Sequence, residues 1–321
     1  GEQKPEDGEE ESSAMQERKG TEQKVVDFSN QLMADTIPLP VLVHILEKYD
    51  NVCVIPSFET NQVYVLIGTV HFSEQSARIV EEIIYNLQPD SVMLELCMQR
   101  ASVLQEPSER TEMNPDNLSF RDISIIFHKN PAGGFFHICL LFFYRLLVPK
   151  LKILPGVEFR AAYKAAKRVS AEVILGDRSQ QVTLARAWAA LTWRERLRLV
   201  EAVVSSDGMD IQASDLEEMK EKSIVSEVIS AMSREFPSLR TSLLDERDLY
   251  MISSLRKCHG QCVVAVVGAA HLPGIQKHWD DIIQMDAIAS VPEKHHPIVT
   301  YGTVFLMVFV SCTYLVFATV F

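Results

Sequence analysis

Two histidines stand at matching places in this chain. His71 closes the run Val63-Tyr64-Val65-Leu66-Ile67-Gly68-Thr69-Val70-His71, and His271 closes Val263-Val264-Ala265-Val266-Val267-Gly268-Ala269-Ala270-His271. Each lies three positions beyond a glycine that ends an apolar run. Glu95 interrupts a third apolar run, Ser91-Val92-Met93-Leu94-Glu95-Leu96-Cys97. A carboxylate there carries a heavy desolvation cost unless a partner, a metal or water meets it. Two imidazoles and a carboxylate suffice to hold a divalent cation that turns bound water into a nucleophile. The same groups also work without metal: one histidine with Glu95 activates water while an arginine stabilises the developing oxyanion. A plainer reading pairs Glu95 with Arg100 at a solvated strand end.

The elements that must bring these groups together are legible as periodicities. The runs ending at Gly68 and Gly268 are short, β-branched and free of alternating polar residues, the pattern of strands covered on both faces of a parallel sheet. Between the first of them and Ser91, Ile79, Val80, Ile83, Ile84 and Leu87 recur at helical spacing. Ser73 and Glu74 suit the start of this helix, and Gln88-Pro89-Asp90 its stop. Strand, helix and strand at this spacing form a βαβ unit, so the runs ending at His71 and Cys97 are expected to be parallel neighbours with their C-terminal ends on one edge. Ligands of open α/β folds bind at that edge. Pro155-Gly156-Val157-Glu158-Phe159-Arg160 opens a further helix. Val173-Ile174-Leu175 makes a third strand followed by Gly176-Asp177-Arg178, and residues 181 to 256 read as mostly helical. The cluster Asp245-Glu246-Arg247-Asp248 reads as a solvated helix face. A last surface helix or strand is expected over 280 to 286.

Composition sets the surroundings. The chain has 321 residues, 47% of them hydrophobic, and a formal net charge of -12. That charge, with no basic stripe, excludes a nucleic-acid footprint. Residues 1 to 27 hold nine acids against four bases and are expected to form a disordered acidic tail. Residues 35 to 292 are expected to form the α/β domain. The six scattered cysteines argue for a reducing compartment rather than a disulfide scaffold. Cys258-His259-Gly260-Gln261-Cys262 lacks the second ligand pair of a structural zinc and reads as a loop. The greasy block Phe135 to Leu154, broken by Arg145 and Pro149, reads as a buried helix. Ile298 to Phe321, twenty-four residues without a charge, has the length of a bilayer span and is read as a C-terminal transmembrane anchor. With no signal peptide visible at the start, the simplest topology leaves the domain in the cytosol.

Inspection excludes the Gly-x-Ser-x-Gly elbow, the phosphate-binding Gly-x-x-x-x-Gly-Lys loop, Gly-x-Gly-x-x-Gly and His-Glu-x-x-His. What remains is His71, Glu95 and His271 at strand ends, with Arg178 as a catalytic arginine and Glu158, Arg160, Arg247, Asp248 and Arg100 as substrate or supporting groups. Taken in order, Gly68-Thr69-Val70-His71, Leu94-Glu95-Leu96-Cys97-x-x-Arg100, Pro155-Gly156-x-Glu158-Phe159-Arg160, Gly176-Asp177-Arg178, Glu246-Arg247-Asp248 and Gly268-x-x-His271-x-Pro273-Gly274 resemble the TraB/PrgY family over residues 60 to 292. The resemblance is greatest to the eukaryotic TraB domain-containing proteins, relatives of the Tiki metalloproteases on a fold related to erythromycin esterase and ChaN. It implies that the paired Gly-x-x-His motifs and Glu95 form the site and hold a divalent cation, manganese, cobalt or zinc. It also implies a mitochondrial outer or endoplasmic-reticulum membrane location. The expectations are therefore an α/β fold with a central, mostly parallel sheet, flanking helices, a large helical insertion and a C-terminal transmembrane helix. Its function is expected to be that of a membrane-anchored, metal-dependent, peptidase-like hydrolase of a protein or peptide substrate; the alternative is a non-catalytic adaptor on the same membranes.

Overall fold

The computed structural model describes residues 39–69, 74–105, 156–196, 198 and 236–291. Gln62–Thr69 forms β2 and Cys262–Gly268 forms β5, and every residue of both is buried. With no polar residue due to face water, each run can be apolar throughout, and both sit inside a five-stranded sheet of order β1-β2-β5-β3-β4. The partners are β1 (Val52–Ser57), β3 (Ser91–Leu94) and β4 (Glu172–Leu175). All pairings are parallel except β1 with β2.

Three features depart from the sequence reading. First, β2 and β3 are parallel but not neighbours, because β5 lies between them and pairs with both. Second, Val52–Ser57, which none of the periodicities above marks, is an edge strand; Pro56 is tolerated there because an edge leaves one row of amides unpaired. Third, β3 ends at Leu94, before Glu95, instead of continuing to Cys97.

Helix α1 spans Leu39–Lys48 and α2 spans Glu74–Leu87. Val80, Ile83, Ile84 and Leu87 are the buried stripe of α2, as their spacing predicts, while Ile79 is only half-buried. Helix α3, Val157–Arg168, lays an alanine-rich face, Ala161, Ala162, Ala165 and Ala166, into the core and packs against α2 and β3. It leads through a short turn into β4. Its first turn therefore lies at the edge where the parallel strands end.

The chain divides into two compact units. The first gathers the described residues through Leu96, then Gly156–Asp177 and Met251–Asp281, and contains the sheet. The second gathers those of Cys97–Pro155 and Arg178–Tyr250 and those from Ile282 onward. Within the stretch expected to be helical lie α4 (Gln180–Ala190), α5 (Pro237–Arg240), a π-helical turn (Thr241–Asp245) and α6 (Glu246–Leu255). Helix α7, Leu272–Lys277, follows β5, and α8, Met285–Ala289, stands near the end expected for the last surface element. No described helix is long and apolar enough to cross a membrane; residues 1 to 27, 135 to 154 and 298 to 321 lie outside the described residues.

Candidate functional site

Glu95 is the first residue beyond β3, and its backbone is held on every side. The Leu96 amide donates to the Leu94 carbonyl at 2.7 Å, a bond between residues two apart that makes Glu95 the centre of a γ-turn. The Glu95 amide donates to the Val266 carbonyl of β5 at 3.0 Å. Its side chain, 5% exposed, turns to the same neighbour: Oε2 accepts the Gly268 amide at 2.6 Å. Oε1 lies 3.2 Å from Nε2 of His271, itself 3% exposed. The adjacency follows from the strand order. Because β3 and β5 are neighbours, Leu94 is level with Val266, and the short 3₁₀ turn Ala269–His271 swings the imidazole onto the carboxylate.

Gly68 explains itself at the same edge. A Cβ there would stand 2.5 Å from Cδ1 of Leu272, so only glycine lets α7 close over the end of β2. Its amide donates to Asn51 O at 2.8 Å, and Asn51 Nδ2 returns a bond to its carbonyl. Thr69 is level with Gly268 and donates to Val267 O at 3.1 Å. His71, two residues after Thr69, lies outside the described residues.

Every buried Asp, Glu, Arg or His among the described residues of the first unit, namely Glu95, Glu158, Arg160, Asp177 and His271, belongs to this one edge. Glu158 and Arg160 sit in the first turn of α3, where the helix dipole favours the acid. Asp177 is the second residue beyond β4, and its burial depends on where β4 ends in space, which the motif Gly176-Asp177-Arg178 alone does not show.

Two chemistries match the Glu95–His271 contact. With a proton on Nε2, the carboxylate fixes the imidazole tautomer and leaves Nδ1 as a base. Alternatively, two donors at about 2.1 Å from one ion, subtending about 90–110°, stand about 3.0–3.4 Å apart, a range that includes the observed separation. The Gly268 amide would then support the ligating carboxylate. Among the described residues, no three His, Cys, Asp or Glu side chains are grouped to hold an ion; an ion at Glu95 and His271 would need at least one further donor.

A sequence model of the TraB/PrgY/gumN family matches residues 154–288. TraB domain-containing proteins of Homo sapiens and Bos taurus are each 33% identical over 251 residues, covering 72% of this chain and 66% of theirs. This chain belongs to the TraB/PrgY/gumN family. It spans just under two thirds of the length of those curated relatives. An uncharacterized protein of Methanocaldococcus jannaschii is 24% identical over 250 residues, covering 74% of this chain and 60% of its own length.

The TraB motif residues do not all meet in one unit. Arg100 lies in the 3₁₀ turn Met98–Leu104 and Arg247 and Asp248 in α6, all within the second unit. Asp248 is buried, and Arg247 Nη1 donates to Leu243 O at 3.0 Å. Arg178, expected as the catalytic arginine, is 1% exposed and bonded within the same unit. Its Nε donates to Thr183 Oγ1 at 3.0 Å and its Nη2 to Ser242 O at 2.7 Å. Its Nη1 donates to Glu246 Oε2 at 2.6 Å and Ile288 O at 3.0 Å. Glu246 also takes a two-pronged contact from Arg186, with Nε on Oε2 and Nη2 on Oε1, both at 2.6 Å. Burial pulls the Arg178 guanidinium below its ordinary range despite Glu246. Burial opposes ionisation of Glu246 as well, but hydrogen bonds from Arg186 and Arg178 hold its carboxyl below the usual value. Arg186 is held above its own by Glu246. Glu246, expected on a solvated helix face, is instead clamped by Arg186, because a charge cluster shows no local sign of the distant partner that meets it.

Proposed function

We propose that this TraB-family chain is a metal-dependent, peptidase-like hydrolase whose reacting centre is the Glu95–His271 pair completed by His71. The observation that carries the reading is a buried carboxylate–imidazole contact at the C-terminal ends of two adjacent parallel strands. A divalent cation held by His71, Glu95 and His271 would supply a water of lowered pKa and polarise a substrate carbonyl.

The chain's own part is orientation. Gly268 aims Glu95, Glu95 aims His271, and the surrounding burial keeps bulk water from weakening either contact. Arg160, buried at the same edge, brings a positive charge suited to a developing oxyanion. Arg178 and Arg247 are assigned to the frame of the second unit, because their donors engage Glu246, Thr183 and backbone carbonyls there.

The uncharged tail, residues 298 to 321, supports anchorage in a mitochondrial outer or endoplasmic-reticulum membrane, with the domain facing the cytosol. The test is metal content by mass spectrometry on the purified chain and on His71→Ala, His271→Ala and Glu95→Gln, together with peptide hydrolysis in added manganese, cobalt or zinc. A stoichiometric ion and hydrolysis in the parent, both lost in the variants, is the expected result. No ion and no hydrolysis in any sample overturns the reading in favour of an adaptor.

A further inference from the structure

We propose that Gly176 and Asp177 are positioning residues for Glu95, forming a backbone mount at the exit of β4. Successive amides of an extended strand point to opposite neighbours. Here two consecutive amides point the same way: Gly176 N–H donates to Leu94 O at 2.9 Å, and Asp177 N–H donates to Leu96 O at 3.1 Å. Those carbonyls flank Glu95 in the chain. The Leu94 carbonyl thereby accepts both the Leu96 amide that closes the γ-turn and the Gly176 amide that pins it, filling its two lone pairs. Glu95 is gripped from β5 on one side through Val266 and from the β4 exit on the other.

The mount needs glycine at 176. A Cβ there would run into the Met93 side chain, with Cγ 2.5 Å and Cε 3.3 Å away. Met93 is fully buried in β3, so its side chain has little room to step aside. An alanine would instead push the β4 exit off Leu94, open the γ-turn and let the Glu95 carboxylate leave Gly268.

The functional weight of this device rests on Glu95 belonging to the reacting centre, but its mechanics can be read without metal or activity. The Gly268 amide donates to the Glu95 side chain, so its hydrogen exchange reports the carboxylate's position. Exchange at Gly268 and at Val264, in the middle of β5, is measured on the full chain and on Gly176→Ala, Met93→Ala, the double variant and Glu95→Ala. In Gly176→Ala, Gly268 exchange is expected to rise about tenfold or more toward the Glu95→Ala rate, with Val264 unchanged. Met93→Ala keeps the Gly176 amide and leaves Gly268 slow. The double variant, which removes the clash, returns it to slow exchange. Unchanged Gly268 exchange in Gly176→Ala, or equal acceleration at Gly268 and Val264, overturns the proposal. If Gly176→Ala does not fold, a double variant that folds with fast Gly268 exchange overturns it too. Absence of bound metal in these samples counts against the hydrolase reading alone and leaves the exchange comparison intact.

Discussion

Burying Glu95 is tolerable because each of its oxygens meets a donor or an imidazole, and the same fact makes the position sensitive. Glu95→Ala strands the Gly268 amide in the core and is expected to cost about 1–3 kcal/mol for that group, read from urea unfolding. Glu95→Gln keeps an acceptor for the amide and should cost clearly less, while abolishing any retained divalent ion. The contrast separates a structural acid from a working one. Gly68 makes the parallel case for packing. Gly68→Ala places a Cβ 2.5 Å from Leu272 Cδ1 and 3.1 Å from the Ala269 Cα, and a loss of about 1–3 kcal/mol is expected. Leu272→Ala should recover only part of it, since the Ala269 backbone still stands in the way.

At the scale of elements, the knot around Glu246 ties α4, the π-helical turn and α8 together through one carboxylate and two guanidinium groups. Removing one member of a buried ionic group costs about 3–5 kcal/mol, because the remaining charge is left without compensation, and Glu246→Gln is expected to fall in that range at neutral pH. The Glu246 carboxyl titrates below its ordinary value of 4.5 when folded. Its contribution is therefore fully present above that value and lost as pH falls through the lower folded one, so stability declines below about pH 4.5 and Glu246→Gln flattens the decline. Chemical denaturation between pH 3 and 6, on the order of one titration at each half unit, checks this. The turn into β5 carries the opposite sign. Burial, with Glu172 beside Cys258 and Asp90 beside Cys262, pushes both thiols from 9.0 up to about 12. They should resist alkylation in the native chain at neutral pH and react once it is unfolded. The stability these protonated thiols lend should be present below pH 9.0 and disappear as pH rises toward 12.

For the whole molecule, the chain crosses between its two units four times, at Leu96–Cys97, Pro155–Gly156, Asp177–Arg178 and Tyr250–Met251, and again after Asp281. Motif residues close in sequence are therefore divided between units, as Asp177 and Arg178 are. The proposed membrane anchor is tested at this scale by flotation with phospholipid vesicles. The full chain is expected to float and a chain ending at Val291 to sediment; flotation of both would place the membrane contact elsewhere.

The strands ending at Thr69, Gly268 and Leu175, the buried stripe of α2 and the start of α3 were determined by the sequence alone, since each rests on the period of neighbouring residues and needs no distant partner. Family membership was legible for a similar reason: ordered motifs survive without knowledge of what they touch. Only the tertiary structure decided that β5 lies between β2 and β3, that Glu95 meets His271 and the Gly268 amide 173 positions away, and that Arg178 turns into a buried knot. Those outcomes depend on which strand edges pair and on which charges are buried together. Both are long-range free-energy choices that no local pattern encodes.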